Sequence, residues 1–168
     1  MPTVTNDATL RKKIKMVIVI TIIGLLLNGL SAVPLKTELN ILLSKPGALP
    51  KFLQDWWLYV NKGVTETTTK YPFMRYGFDW LAFAHLLIAI AFLGPLKDPV
   101  KNQWIIIWGI IASALSVLMA FGWERMRDIP VWWSCIDAAI AIAAFIILLL
   151  CNRWIEQLKN LKGINQNI

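Results

Sequence analysis

Apolar residues along this chain gather into four blocks, at about 14 to 33, 78 to 96, 104 to 123 and 131 to 152, separated by polar and proline-bearing segments. Each block approaches the roughly 20 helical residues that cross a hydrocarbon core of about 30 Å. The pattern predicts an all-α polytopic membrane protein, with four transmembrane helices in an antiparallel bundle and a single membrane domain over residues 1–168. Residues 34–77 read differently. Pro34 and the Lys45-Pro46-Gly47 break bound short helices there. From Pro50 to Asn61, Phe52, Leu53, Trp56, Trp57 and Val60 share one face, as expected of an interfacial helix in an extracytoplasmic lid. Thr65 to Lys70 reads as a polar turn, and Tyr71 to Tyr76 as an aromatic girdle at the next span. Gly94-Pro95 is expected to end the second span. The tail from Arg153 is expected to form a separate amphipathic helix offering Trp154, Leu158 and Leu161 to the inner surface.

Composition agrees: 57% of residues are apolar and 16% charged, too few charges for an ordinary soluble domain of 168 residues. The net charge of +7 would suggest nucleic acid in a soluble protein, but here the cations are divided among segments that the membrane separates. Their use is topological, since Lys and Arg favour cytoplasmic loops. Arg11, Lys12, Lys13 and Lys15 precede the first span, Lys97 and Lys101 flank the second turn, and Arg153, Lys159 and Lys162 occupy the tail. Both termini are therefore expected in the cytoplasm, with the first span an uncleaved signal anchor. Cys135 and Cys151 stand about 24 Å apart along one helix, beyond disulfide reach.

Candidate chemistry lies inside the spans, where ionisable groups are expensive and by default point to function. His85, the only histidine, and Asp137 each sit about 9 to 10 Å below the outer end of their helices, so their depths match. Asn28, Ser116, Ser134, Asp79 and Glu124 belong to the same outer half. A contact between His85 and Asp137 would compensate two otherwise costly groups, either locking two helices together or flooring a ligand pocket. Arg125 and Arg127, with Arg75 at the next boundary, are candidates for an anion or lipid headgroup. Small residues form stripes on the first span (Thr21, Gly24, Asn28, Ala32) and the third (Gly109, Ser113, Ser116, Ala120), where close packing is expected.

A single histidine removes bis-histidine haem within one chain. No cofactor is expected, and a metal on His85 with the carboxylates is a weak alternative. Serines near a histidine lack any nucleophile-elbow pattern, so the reading leans away from an enzyme and assigns no catalytic residue.

Tyr71-Pro72-Phe73, Asp79-Trp80-Leu81-Ala82-Phe83-Ala84-His85, Gly94-Pro95, Asp98-Pro99-Val100, Arg127-Asp128-Ile129-Pro130 and Ile136-Asp137 resemble an uncharacterised family of small four-span bacterial membrane proteins. The resemblance covers about half the chain, implies a bacterial inner membrane and supplies no activity. The leading functional expectation is a polar pocket in the outer-leaflet half that binds a small or amphipathic ligand such as a lipid. The alternative is an accessory or scaffold subunit of a larger membrane complex, and the third is a proton relay or enzyme using His85 and Asp137. Expected partners are membrane lipids or other membrane subunits, with no nucleic acid.

Overall fold

The computed structural model describes residues 3–44, 50–161 and 163, with side chains from Asp7 onward. Among these residues seven α-helices follow one another: α1 (Thr3–Ala32), α2 (Leu35–Leu43), α3 (Lys51–Lys70), α4 (Tyr76–Ala91), α5 (Leu93–Lys97), α6 (Gln103–Gly122) and α7 (Val131–Leu161). Short 3-10 turns cover Pro72–Arg75 and Arg125–Arg127, and no strand occurs among the described residues. Among the described residues four stretches are long and apolar enough to cross a membrane: Asp7–Ala32, Pro72–Lys97, Gln103–Gly122 and Val131–Leu161. The chain is an all-α polytopic membrane protein. In lipid each backbone N–H must find its partner within the helix, which is why β-branched runs such as Val17 to Ile20 are helical here.

The helix ends have local causes. α4 stops at Ala91 because Pro95 lacks the N–H that would bond the Ala91 carbonyl, and its ring crowds that carbonyl. The chain does not leave the helical path at Gly94-Pro95 as expected; it resumes as α5, with Leu96 N bonding Phe92 O and Asp98 N bonding Gly94 O. α3 also runs on, through the Thr65–Lys70 segment expected to be a turn, and ends where Tyr71 precedes Pro72. An i,i+4 pair between Lys62 and Glu66 (3.9 Å) lies along this extension. The tail is another correction: α7 continues unbroken to Leu161, about 46 Å of helix. Ile155 and Leu158 are wholly buried, so Leu158 faces protein instead of the membrane surface. The Lys45-Pro46-Gly47 break and Lys162 lie outside the described residues.

The chain divides into two compact units, residues 1–22 with 90–168, and residues 23–89. In the first unit α6 and α7 form an antiparallel hairpin. Its buried seam on α7 runs Ser134, Ala138, Ala141, Leu148, Cys151, Ile155 and Leu158, spaced by three, four or seven residues, so that all fall on one face. Gly109 lets the hairpin close: a Cβ there would lie 3.1 Å from both Leu148 Cδ1 and Phe92 Cζ. Leu10, Ile14, Val17 and Ile18 of α1 are buried in the same unit. Association in lipid rests on such packing, since apolar side chains gain nothing by leaving hydrocarbon. The turn before α6 is held by Asn102, whose Nδ2 donates to Gly94 O (3.1 Å) and Asp98 O (3.0 Å). The second unit holds the C-terminal part of α1, α2, α3 and most of α4. There Leu39 is buried, and Asn61 Nδ2 donates to Asn40 Oδ1 (3.1 Å), tying α3 to α2.

Candidate functional site

In the second unit the candidate site is built on a close approach of α1 and α4. Gly29 is buried, and a Cβ there would stand 2.6 Å from His85 Cβ and 3.2 Å from Ala82 O, so only hydrogen fits. This places Asn28, the neighbouring residue, beside the imidazole. His85 Nδ1 lies 2.8 Å from Leu81 O. A carbonyl only accepts, so Nδ1 carries the hydrogen, and Nε2 accepts from Asn28 Nδ2 at 3.2 Å. Both ring nitrogens are thereby engaged in the Nδ1–H tautomer. Asn28 is exposed and His85 half-buried, so the pair borders open space at membrane depth.

Toward the end of the same unit, Ala32, Lys36, Val64, Thr68, Arg75 and Asp79 line a narrow cleft enclosing about 20 Å³, room for one water. Thr68 Oγ1 donates to Val64 O (2.7 Å). Lys36 and Arg75 are exposed, with no ion-pair partner among the described residues. Asp79 stands about 9 Å along α4 from His85. The polar groups of this unit thus form a loose column at two levels, Arg75 and Asp79 at the helix end and Asn28 and His85 within the span, with Asp79 and His85 about 120° apart around α4.

The remaining candidates fall in the first unit. Asp137, half-buried on α7, has the Glu124 carboxyl and the Trp133 side chain within hydrogen-bonding reach. Ionised carboxylates only accept, so neither acid can donate to the other in that state. His85 and Asp137 belong to different units, and each has partners inside its own. Ser134 is fully buried, and its Oγ has no hydrogen-bond partner among the described residues. The Ser116 hydroxyl is spent on its own helix, donating to Ala112 O at 2.9 Å, and Ser113 does the same to Gly109 O at 2.8 Å. Arg125 Nη1 caps the turn by donating to Ile129 O (3.1 Å), while Arg127 is exposed. Asp128, at φ 57°, takes the left-handed conformation that closes this turn. Arg75 is in the other unit.

Sequence reasoning missed a polar cluster at the far end of the α6–α7 hairpin. Gln103 is buried, and its Nε2 donates to Asn152 Oδ1 (2.7 Å) and to Glu156 Oε1, which also faces Lys159 Nζ at 3.5 Å. The signal was available: Asn152 and Glu156 are i,i+4 on α7, and Gln103 opens α6. Treating the tail as a separate helix hid it. Among the described residues no three His, Cys, Asp or Glu side chains gather as a metal-ligand set. No protein-family model, curated protein or solved structure matches the chain.

Proposed function

We propose that this integral membrane protein binds the polar end of an amphipathic ligand such as a lipid, using the polar column of residues 23–89. The observation that carries this reading is that one unit holds Lys36 and Arg75, cations without an ion-pair partner among the described residues, beside Asp79, together with the Asn28–His85 pair. Bonds to Asn28 and Leu81 engage both ring nitrogens of His85, and the exposed Asn28 amide keeps hydrogen-bonding capacity for a polar group from outside the chain. Lys36 and Arg75 suit a headgroup phosphate, and the pair below suits an ester or hydroxyl. On the positive-inside expectation both termini are cytoplasmic and this column belongs to the outer leaflet, in a bacterial inner membrane.

Lipid extracted from the detergent-exchanged protein and quantified by mass spectrometry tests the reading. The wild type should retain lipid that Lys36→Gln/Arg75→Gln and Asn28→Leu release. Equal retention by all three proteins removes the basis of the proposal. Orientation is checked by single cysteines at positions 101 and 127 in a background lacking Cys135 and Cys151, labelled from either side of sealed vesicles. Position 127 should label from outside.

A second reading, an accessory subunit, is favoured by α3. This 20-residue helix has no buried residue and exposes Phe52, Leu58 and Tyr59. A partner protein recovered at fixed stoichiometry in mild detergent, and lost when Leu58 and Tyr59 become Ser, would support it.

A further inference from the structure

A separate cationic site lies in the first unit. Ala8, Arg11, Lys12 and Lys15 fall at i, i+3, i+4 and i+7, one face of α1, and they line an open cleft of about 460 Å³ together with Lys97 and Pro99 from the end of α5. That volume is in the range of ligand sites.

The cations of this region are not alike. Lys13 sits 5.6 Å over the Trp154 ring, Lys159 pairs with Glu156, and Arg11 turns Nε toward both oxygens of Asp7 at 3.2 Å, leaving its terminal Nη groups. Lys12, Lys15 and Lys97 have no carboxylate within 4 Å among the described residues. The nearby Asp98 is occupied, accepting from the Val100 and Lys101 amides at 3.1 Å. Four cations from two distant segments thus converge on one concavity, and of the two acids beside them Asp7 engages only Arg11 Nε and Asp98 is held by backbone amides. Snorkelling lysines would spread apart; these line one cleft, Lys97 at the end of α5 with Arg11, Lys12 and Lys15 of α1.

We infer that the cleft of Arg11, Lys12, Lys15 and Lys97 binds the phosphate of an anionic phospholipid. Position selects lipid over a soluble anion. Lys97 ends one membrane-spanning stretch and Gln103 begins the next, which sets the cleft at headgroup level. Exposed Met16, one residue beyond Lys15, and exposed Leu93, one turn before Lys97, continue both walls toward the hydrocarbon. Arg11 supplies forked donors to phosphate oxygens and the lysines supply charge. The site does not depend on the polar column of the second unit.

The test uses the full chain in neutral detergent, titrated with dioleoyl-phosphatidylglycerol, dioleoyl-phosphatidylcholine or inorganic phosphate and followed by thermal unfolding. Phosphatidylglycerol should bind the wild type at least about tenfold tighter than phosphatidylcholine, with inorganic phosphate inert. Lys12→Gln/Lys97→Gln should lose roughly tenfold or more, as two cations each contribute a factor of about five near an anionic lipid. Lys101→Gln/Arg153→Gln, exposed in the same unit, removes equal charge outside the cleft and should keep wild-type preference. Equal loss in both double variants, equal response to the two lipids, or stabilisation by inorganic phosphate matching that by phosphatidylglycerol overturns the inference. Circular dichroism of each variant at 20 °C establishes that it is folded before titration.

Discussion

Gly29→Ala probes the approach of α1 to α4 directly. The added Cβ begins 2.6 Å from His85 Cβ and 3.2 Å from the Ala82 carbonyl oxygen. Non-bonded carbons rest at about 3.5–4.0 Å, so the helices must part by roughly 1 Å. Neither obstacle can swing aside, one being a Cβ and the other backbone. Forcing a methyl into such a contact costs about 1–3 kcal/mol. The same movement stretches the 3.2 Å bond between Asn28 and His85, worth about 0.6 kcal/mol on average for a hydrogen bond between membrane helices. Alanine returns up to about 1 kcal/mol through helix propensity. Gly24, five residues earlier on α1, has nothing within 4 Å of its would-be Cβ, so Gly24→Ala carries the propensity term alone. The purified chain is unfolded in mixed micelles by raising the fraction of sodium dodecyl sulfate and followed by circular dichroism. Gly29→Ala should be less stable than Gly24→Ala by about 2–3 kcal/mol on these magnitudes. The coupling between Asn28→Ala and His85→Ala should also vanish in the Gly29→Ala background. Equal stability of the two alanine variants would refute the close approach as the role of Gly29.

The same assay separates three further sites. Gly109→Ala should cost less than Gly29→Ala, within about 1.5 kcal/mol, because the atoms met are the ends of the Leu148 and Phe92 side chains, which can turn. Gln103→Ala should cost about 1–3 kcal/mol by leaving Asn152 Oδ1 without its donor and Glu156 with Lys159 alone, while Gln157→Ala, exposed on the same helix, should be neutral within about 0.5 kcal/mol. Ser134→Ala should be neutral or stabilising, since its buried Oγ has no hydrogen-bond partner among the described residues for the substitution to remove. Finally, nitrogen-15 shifts of labelled His85 should report the Nδ1–H tautomer; an Nε2–H signal would contradict the bond to Leu81 O.

The pairing of His85 shows where sequence reasoning stops. Depth along a helix follows from residue number, so His85 and Asp137 could be matched at about 9 to 10 Å from their helix ends. Asn28 is also a polar residue near one end of its span, and nothing in the pattern ranks one partner above the other. The structure shows Asn28 bonded to His85, whereas the groups near Asp137 are Glu124 and Trp133 of its own unit. The small-residue stripe on α1 illustrates the same limit. Thr21, Gly24, Asn28 and Ala32 mark a face by composition, yet Thr21 bonds its own Val17 carbonyl, Gly24 faces open space, and Gly29 makes the contact. Rotation of a helix about its axis depends on the shape of its neighbour.

What the sequence determines by itself is the solvent and the scaffold. Four apolar runs of membrane length, with turn residues between them, specify four spans, because run length and backbone satisfaction in lipid are local properties of the chain. The residue types that demand explanation inside those spans are likewise visible without coordinates. Only tertiary structure decides which of them meet. It joins Gln103 to Asn152 and Glu156 across α6 and α7, and gathers Arg11, Lys12 and Lys15 with Lys97 around one cleft. Such contacts depend on lateral position and rotation, which hydropathy leaves free and which steric fit at glycines such as Gly29 and Gly109 sets.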